Sequence, residues 1–96
     1  MPQVIFAPAA LRDLERLRAF LRPKAPEAAH KAGAAILRGV EGLGAFPRMG
    51  RLIDGMSEHF REWPIGFGNS GYIARYRIDG DRIVILAVRH QKEAGF

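Results

Sequence analysis

The stretch Gly71-Tyr72-Ile73-Ala74-Arg75-Tyr76-Arg77-Ile78-Asp79-Gly80-Asp81-Arg82-Ile83-Val84-Ile85-Leu86-Ala87-Val88-Arg89-His90-Gln91-Lys92 reads as two β-rich runs joined through Asp79-Gly80-Asp81. Asp-Gly between such runs is a strong hairpin signal, because a two-residue turn with positive φ matches the twist of the strands it joins. Period-two alternation puts Ile73, Arg75 and Arg77 on one face of the first strand, and Tyr72, Ala74, Tyr76 and Ile78 on the other. Adjacent strands then bring Arg75, Arg77, Arg89 or His90, and Lys92 to one end of a small sheet. Arginines aimed outward from a buried scaffold suit a phosphate or carboxylate partner. Tyr72 and Tyr76 share a face with Ala74 and Ile78, so core packing is their first explanation. On the second strand His90 alternates in phase with Val84, Leu86 and Val88, which makes a structural histidine as good a reading as a reactive one.

Upstream of the hairpin the period changes. Gln3-Val4-Ile5-Phe6 is a short β-prone run, and Pro8 suits the first turn of a helix. Ala10, Leu11, Leu14, Leu17, Phe20 and Leu21 recur at three- and four-residue spacing, which predicts an amphipathic helix over residues 8–22 with Arg12, Arg16, Arg18 and Arg22 on its solvated side. Arg22-Pro23-Lys24-Ala25-Pro26 breaks it. A second helix opens at Pro26 and carries Ala29, Ala32, Ile36, Val40 and Leu43 along one stripe. Ala7 and Ala25 stand where a capping side chain is expected. Gly33, Gly39 and Gly42, each costing about 1 kcal/mol relative to alanine, lie in an alanine-rich surface and predict close packing of two antiparallel helices. Residues 52–57 read as a loop and His59–Ile65 as a strand that Pro64 confines to an edge or ends. Trp63 reads as an anchor in a core or an interface. Gly66-Phe67-Gly68-Asn69-Ser70-Gly71 is a turn-rich link; with no helix after it, its Gly-x-Gly is no phosphate loop. The expected fold is therefore α+β, in the order β-α-α-β-β-β, with a helical hairpin on one face of a small, mainly antiparallel sheet.

With 96 residues the chain has room for one hydrophobic core, so a single domain over residues 1–96 is expected. It holds no cysteine, which excludes disulfides, thiolate catalysis and cysteine metal sites. His30 and His59 have no partner at metal-ligand spacing, and no metal or organic cofactor is expected. No apolar run approaches a membrane span, and the first ten residues lack the pattern of a secretory leader, so a cytoplasmic protein without membrane contact is expected. The net charge is +5, with 12 arginines against three lysines. Arginine presents a planar fork for phosphate and carboxylate, so this bias points to specific anion contacts over mere solubility.

This order of elements, together with particular words in the sequence, resembles the RelE/ParE superfamily of toxins from type II toxin–antitoxin modules. The words are Ile5-Phe6-Ala7-Pro8-Ala9-Ala10 with Asp13-Leu14, then Phe46-Pro47-Arg48-Met49-Gly50-Arg51, Arg61-Glu62, Gly71-Tyr72 through Tyr76-Arg77, and Val88-Arg89-His90-Gln91-Lys92-Glu93. Together they run through nearly the whole chain. The resemblance implies a compact toxin held inactive by a cognate antitoxin whose segment wraps the helices and sheet. An acidic, amphipathic segment is expected, since it must cover both arginines and apolar helix surface.

Two activities divide the superfamily. RelE-like members cleave messenger RNA in the ribosomal A site, whereas ParE-like members poison DNA gyrase. Cleavage by 2′-OH attack needs a base, donors for the crowded phosphate and an acid for the leaving oxygen. Here His90, Arg77 and Arg61 are the candidate catalytic residues, with Arg51, Arg75 and Arg89 as further phosphate contacts. Tyr72 or Tyr76 would stack or donate. RelE-like enzymes commonly set a tyrosine or histidine near the C-terminus; His90 and Phe96 are nearest in this chain, and Phe96 has no hydroxyl, which leaves the proton work to His90, alone or with Glu93. For a gyrase poison, Arg51, Arg75, Arg77, Arg89, His90 and Lys92 are target contacts with no bond-making role. The Val-Arg-His-Gln-Lys-Glu ending looks more ParE-like, so gyrase inhibition is favoured, with ribosome-dependent mRNA cleavage as the alternative. A non-toxic nucleic-acid-binding relative is the third reading. Arg61-Glu62 reads equally as a cross-strand charge pair.

Overall fold

The computed structural model describes residues 2–93. Its elements run β1 (Gln3–Phe6), α1 (Pro8–Leu21), α2 (Pro26–Ala45), a 3-10 turn (Pro47–Met49), β2 (Arg51–Leu52), β3 (Phe60–Phe67), β4 (Ser70–Asp79) and β5 (Arg82–His90). One sheet holds all five strands in the order β1-β5-β4-β3-β2, with β1 parallel to β5 and the other pairs antiparallel. The α+β fold and its helical hairpin are as expected from sequence, with one strand added. Arg51, just before the expected loop, and Leu52, its first residue, pair with Glu62 and Arg61. β3 also runs two residues beyond Ile65, carrying Pro64 within it on the sheet's outer side.

Neither helix has a side-chain cap, as expected; both begin on a proline, which has no N–H to leave orphaned. Ala7 instead donates its own N–H to the Ile85 carbonyl at 2.9 Å, so the chain passes directly from the β1–β5 ladder into α1. α2 ends at Ala45, because Pro47 keeps Phe46 before it out of helical geometry. Gly33 and Gly39 do serve close approaches, but to different neighbours. A Cβ on Gly33 would lie 2.7 Å from Arg18 Nε across the helical hairpin, and one on Gly39 would lie 2.7 Å from Ile65 Cγ1 of the sheet. Ala10, Leu14 and Leu17 of α1 and Ala32, Ile36, Val40 and Leu43 of α2 close over Ile65, Tyr72, Ala74, Tyr76, Ile83, Ile85 and Val88. That single layer of contact is the core.

The hairpin turn is Gly80-Asp81, flanked by the pair Asp79–Arg82, with Gly80 alone at positive φ (+57°). Glycine in the first of two turn positions is the arrangement that type II′ geometry uses. Farther along, the register slips by one residue. Tyr76 faces Ile85, but Arg75 faces Ala87, so Leu86 is an extra residue bulged out of β5. The bulge inverts the alternation beyond it. His90 faces Tyr72 on the helix side, and Arg89 faces Ile73 on the other. His90 therefore shares its side with Ile83, Ile85 and Val88, and not with Val84 as strict alternation predicts.

Candidate functional site

The face of the sheet turned away from the helices carries the arginines. Alternation on β4 sends Arg75 and Arg77 there, the bulge adds Arg89, and the register of β2 against β3 adds Arg51 opposite Glu62. Ile73 and Val84 lie buried on this same side. Two carboxylates are set among the cations. Glu62, only 13% exposed, accepts from Arg75 Nη2 at 2.9 Å and Nε at 3.3 Å through one oxygen. Its other oxygen accepts from Arg51 Nη2 at 3.4 Å. Asp79 in turn lies 3.2 Å from Arg82 and 3.6 Å from Arg77. Arg89 folds back, its Nη1 donating to the carbonyls of His90, Gln91 and Glu93 and so closing the turn that follows β5.

His90 and Lys92 stand elsewhere. They line a groove of about 610 Å³ between α1 and the β3–β4 turn, with Arg16, Leu17, Phe20, Phe67 and Tyr72 among its other walls. The His90 ring meets Tyr72 edge-on, with centroids 5.4 Å apart. Its Nδ1 accepts the Lys92 N–H at 3.1 Å, which assigns the proton of the neutral imidazole to Nε2. In that tautomer the ring offers the groove a donor and no free lone pair. Glu93 ties this end down, accepting the His90 N–H at 2.8 Å and the Arg16 guanidinium at 2.8 Å. Burial alone pushes the Glu93 carboxyl up, but the His90 N–H and the Arg16 charge outweigh it and hold the group below its ordinary value. Burial raises the Tyr72 hydroxyl, and the Glu93 charge adds to the rise.

Arg61 belongs to neither group. It lies opposite Tyr76, on the helix side, and its Nη1 donates to the carbonyls of Arg48 and Gly50 at 3.1 and 3.0 Å while Nε donates to that of Glu58. Tyr76 completes the knot. Its hydroxyl donates to the Pro47 carbonyl at 2.6 Å and accepts the Gly50 N–H at 3.0 Å. The word Phe46-Pro47-Arg48-Met49-Gly50-Arg51 is thus the segment these two side chains hold. Arg61 and Glu62 do not pair with each other, since their side chains leave opposite sides of β3.

Of the sequence-derived candidates, Arg51, Arg75, Arg77 and Arg89 come together, His90 and Lys92 form a second cluster, and Arg61 serves the loop. Phe96 lies outside the described residues. Sequence reading named Asp13 within a family word but gave it no role; its carboxylate accepts the Val88 N–H at 3.0 Å. β1 ends at Phe6, so beyond it the edge of β5 has no strand neighbour among the described residues, and Asp13 and Glu93 take the N–H groups of Val88 and His90 instead. No sequence signal marks that contact. The bridging role of Glu62 follows from the register of β3 against β4, which sets it opposite Arg75 and which alternation within one strand does not give. Among the described residues no three His, Asp or Glu side chains gather where a metal ion would be held.

A family model described as ParE toxin of type II toxin-antitoxin system, parDE, matches residues 4–95. The chain belongs to the ParE toxin family. Within the wider RelE/ParE superfamily it is 39% identical over 93 residues to Toxin RelE3 of Caulobacter vibrioides, an alignment that covers 97% of this chain and 98% of that one. Toxin RelE1 of the same organism is 31% identical over 90 residues, or 94% of each chain. Among solved structures, a chain of the chromosomal ParDE TA system from P. aeruginosa superposes with a TM-score of 0.74 at 22% identity, over 94% of this chain and 96% of that one. The conserved hypothetical protein HP0894 from Helicobacter pylori gives 0.59 at 16% identity, over 97% and 98%. Those two likenesses show the fold. This ParE-family chain is thus a type II toxin–antitoxin toxin, a class that implies a cognate antitoxin. Among its described residues no helix is long and apolar enough to cross a membrane.

Proposed function

We propose that this ParE-family toxin acts by binding DNA gyrase through the arginine face of its sheet, and that it cuts no RNA. The observation that carries this is the separation of the candidate catalytic groups. His90 stands on the helix side with its Nδ1 lone pair engaged, Arg77 on the opposite face, and Arg61 within the loop knot. A hydrolytic site needs base, phosphate donors and acid within reach of one phosphate. Both tyrosines are buried on the helix side, away from the arginines, which removes them as stacking platforms beside that face. Arg51, Arg75, Arg77 and Arg89 then act as contacts to the target, with His90 and Lys92 as a second patch.

A second reading, ribosome-dependent mRNA cleavage, draws on the names of the Caulobacter relatives, both called RelE toxins, and on the cationic face itself. The antitoxin partner is read as an acidic, amphipathic segment. Carboxylates would meet the arginines, and apolar side chains would enter the groove walled by Leu17, Phe20 and Phe67. The deciding experiment is a gyrase reaction on relaxed and supercoiled plasmid with ATP, scored for supercoiling and for trapped double-strand cuts. Loss of supercoiling or accumulation of cuts is the expected result. An untouched gyrase together with cleaved ribosome-bound message would transfer the assignment to the second reading.

A further inference from the structure

The arginine face is not a plain cationic surface, because Glu62 interrupts it. Arg51, Glu62 and Arg75 lie side by side on β2, β3 and β4, in one row across three strands spaced about 4.8 Å apart. A single carboxylate thus sits in the fork between two guanidiniums, in the position where a bridging phosphate would bind. The depths differ. Glu62 is 13% exposed while Arg51 is 60% exposed, so the carboxylate lies beneath the level of the cation it holds. An incoming anion that displaced it would first have to break its hydrogen bonds to both guanidiniums. Asp79 repeats the arrangement between Arg77 and Arg82 at the turn end, at 45% exposure.

We propose that Glu62 is a specificity determinant which keeps this face from taking the phosphate backbone of a nucleic acid and suits it to a protein surface presenting single, separated carboxylates. A nucleic acid carries an unbroken line of negative charge, so any path along the row brings a phosphate beside Glu62, well inside the screening length of about 8 Å at physiological salt. A protein partner has no such line and can set its own cations against Glu62 and Asp79. Discrimination here comes from a built-in repulsion, the device by which interfaces reject a wrong partner. The inference rests on this face being a contact surface and is independent of gyrase being the target.

Purified full-length protein and its Glu62→Gln variant would be titrated against a short fluorescein-labelled single-stranded RNA of mixed sequence, by fluorescence anisotropy over a series of salt concentrations. Glu41→Gln, which removes the same charge from an exposed position on α2, controls for net charge. The expected result is a gain of roughly tenfold for Glu62→Gln, with a salt slope steeper by ~0.7 for each phosphate newly held. Adding Arg51→Gln should reverse that gain, and Glu41→Gln should show little of it. Equal affinities for the Glu62→Gln and Glu41→Gln variants, or a gain that survives Arg51→Gln, would overturn the proposal. Should Glu62→Gln fail to show a cooperative melt, Asp79→Asn takes its place and must show the same excess over Glu41→Gln. Because the readout is RNA affinity alone, a failure here leaves the gyrase reading standing, and an inactive toxin leaves this one standing.

Discussion

Tyr76 makes two hydrogen bonds with one hydroxyl, and both end on the backbone of the segment that enters β2. Fully buried, it has no water to fall back on. Tyr76→Phe therefore leaves the Gly50 N–H and the Pro47 carbonyl without this partner, at a cost of about 1–3 kcal/mol. In a chain of this size each kcal/mol lowers the melting midpoint by about 4–8 °C, which calorimetry resolves easily. A Tyr76→Phe protein that melts with the wild type would remove the knot from the account of the loop. At this scale the sequence was partly legible. Alternation alone put Tyr72 and Tyr76 on the buried face and Arg75 and Arg77 on the other. It could not foresee that Arg61, one residue from Glu62 in a charged pair of neighbours, would spend its guanidinium on three carbonyls, because two of them, those of Arg48 and Gly50, belong to a turn more than ten positions away.

Elements show the same division between what is local and what is assembled. The two helices, the hairpin and the element order were readable from periodicity and turn chemistry, since those signals act within a few residues. β2 was not, because two residues carry no period and exist as a strand only by pairing with β3. The bulge was also hidden. Leu86 continues an apolar run without any glycine or proline to mark it, and the Asp13 bond to Val88 that accompanies it spans 75 positions. The glycines of α2 separate by what they touch. Gly39→Ala would drive a Cβ against Ile65, with an overpacking cost of about 1–3 kcal/mol that exceeds or cancels the ~1 kcal/mol gained in helix propensity. Gly42→Ala meets only Met49 Cε at 3.7 Å, an ordinary contact, and should stabilise by about 0.5–1 kcal/mol. Melting midpoints of the two variants should diverge, with Gly42→Ala above Gly39→Ala; the reverse order would contradict the helix–sheet contact at Ile65.

For the whole molecule, stability should fall away at both ends of the pH scale, for different reasons. Glu93 is held below its ordinary 4.5, so it stabilises the folded chain above that value and loses its contribution as pH falls through the lower folded one. Tyr72 and Tyr76 are raised above 10.0, chiefly by burial. Above pH 10 the unfolded chain gives up phenol protons that the folded chain keeps, so stability declines as pH rises. Melting midpoints against pH should show both limbs, Glu93→Gln should flatten the acid one, and the phenolate absorbance of these two tyrosines should emerge only with unfolding. Early phenolate absorbance in a folded protein would contradict the burial of both rings. The bulge at Leu86 carries a different kind of consequence, one of descent. Which side of the sheet Arg89 serves depends on whether the extra residue before it is bulged out or held in the ladder. Held flat in the ladder, Leu86 would face Arg75 and exchange Arg89 and His90 between the two sides, whereas losing its codon would leave both where they are. In comparing toxins of this fold, a one-residue gap at this point of the last strand is then no change of surface, and residues there are matched by the side they serve and not by their count.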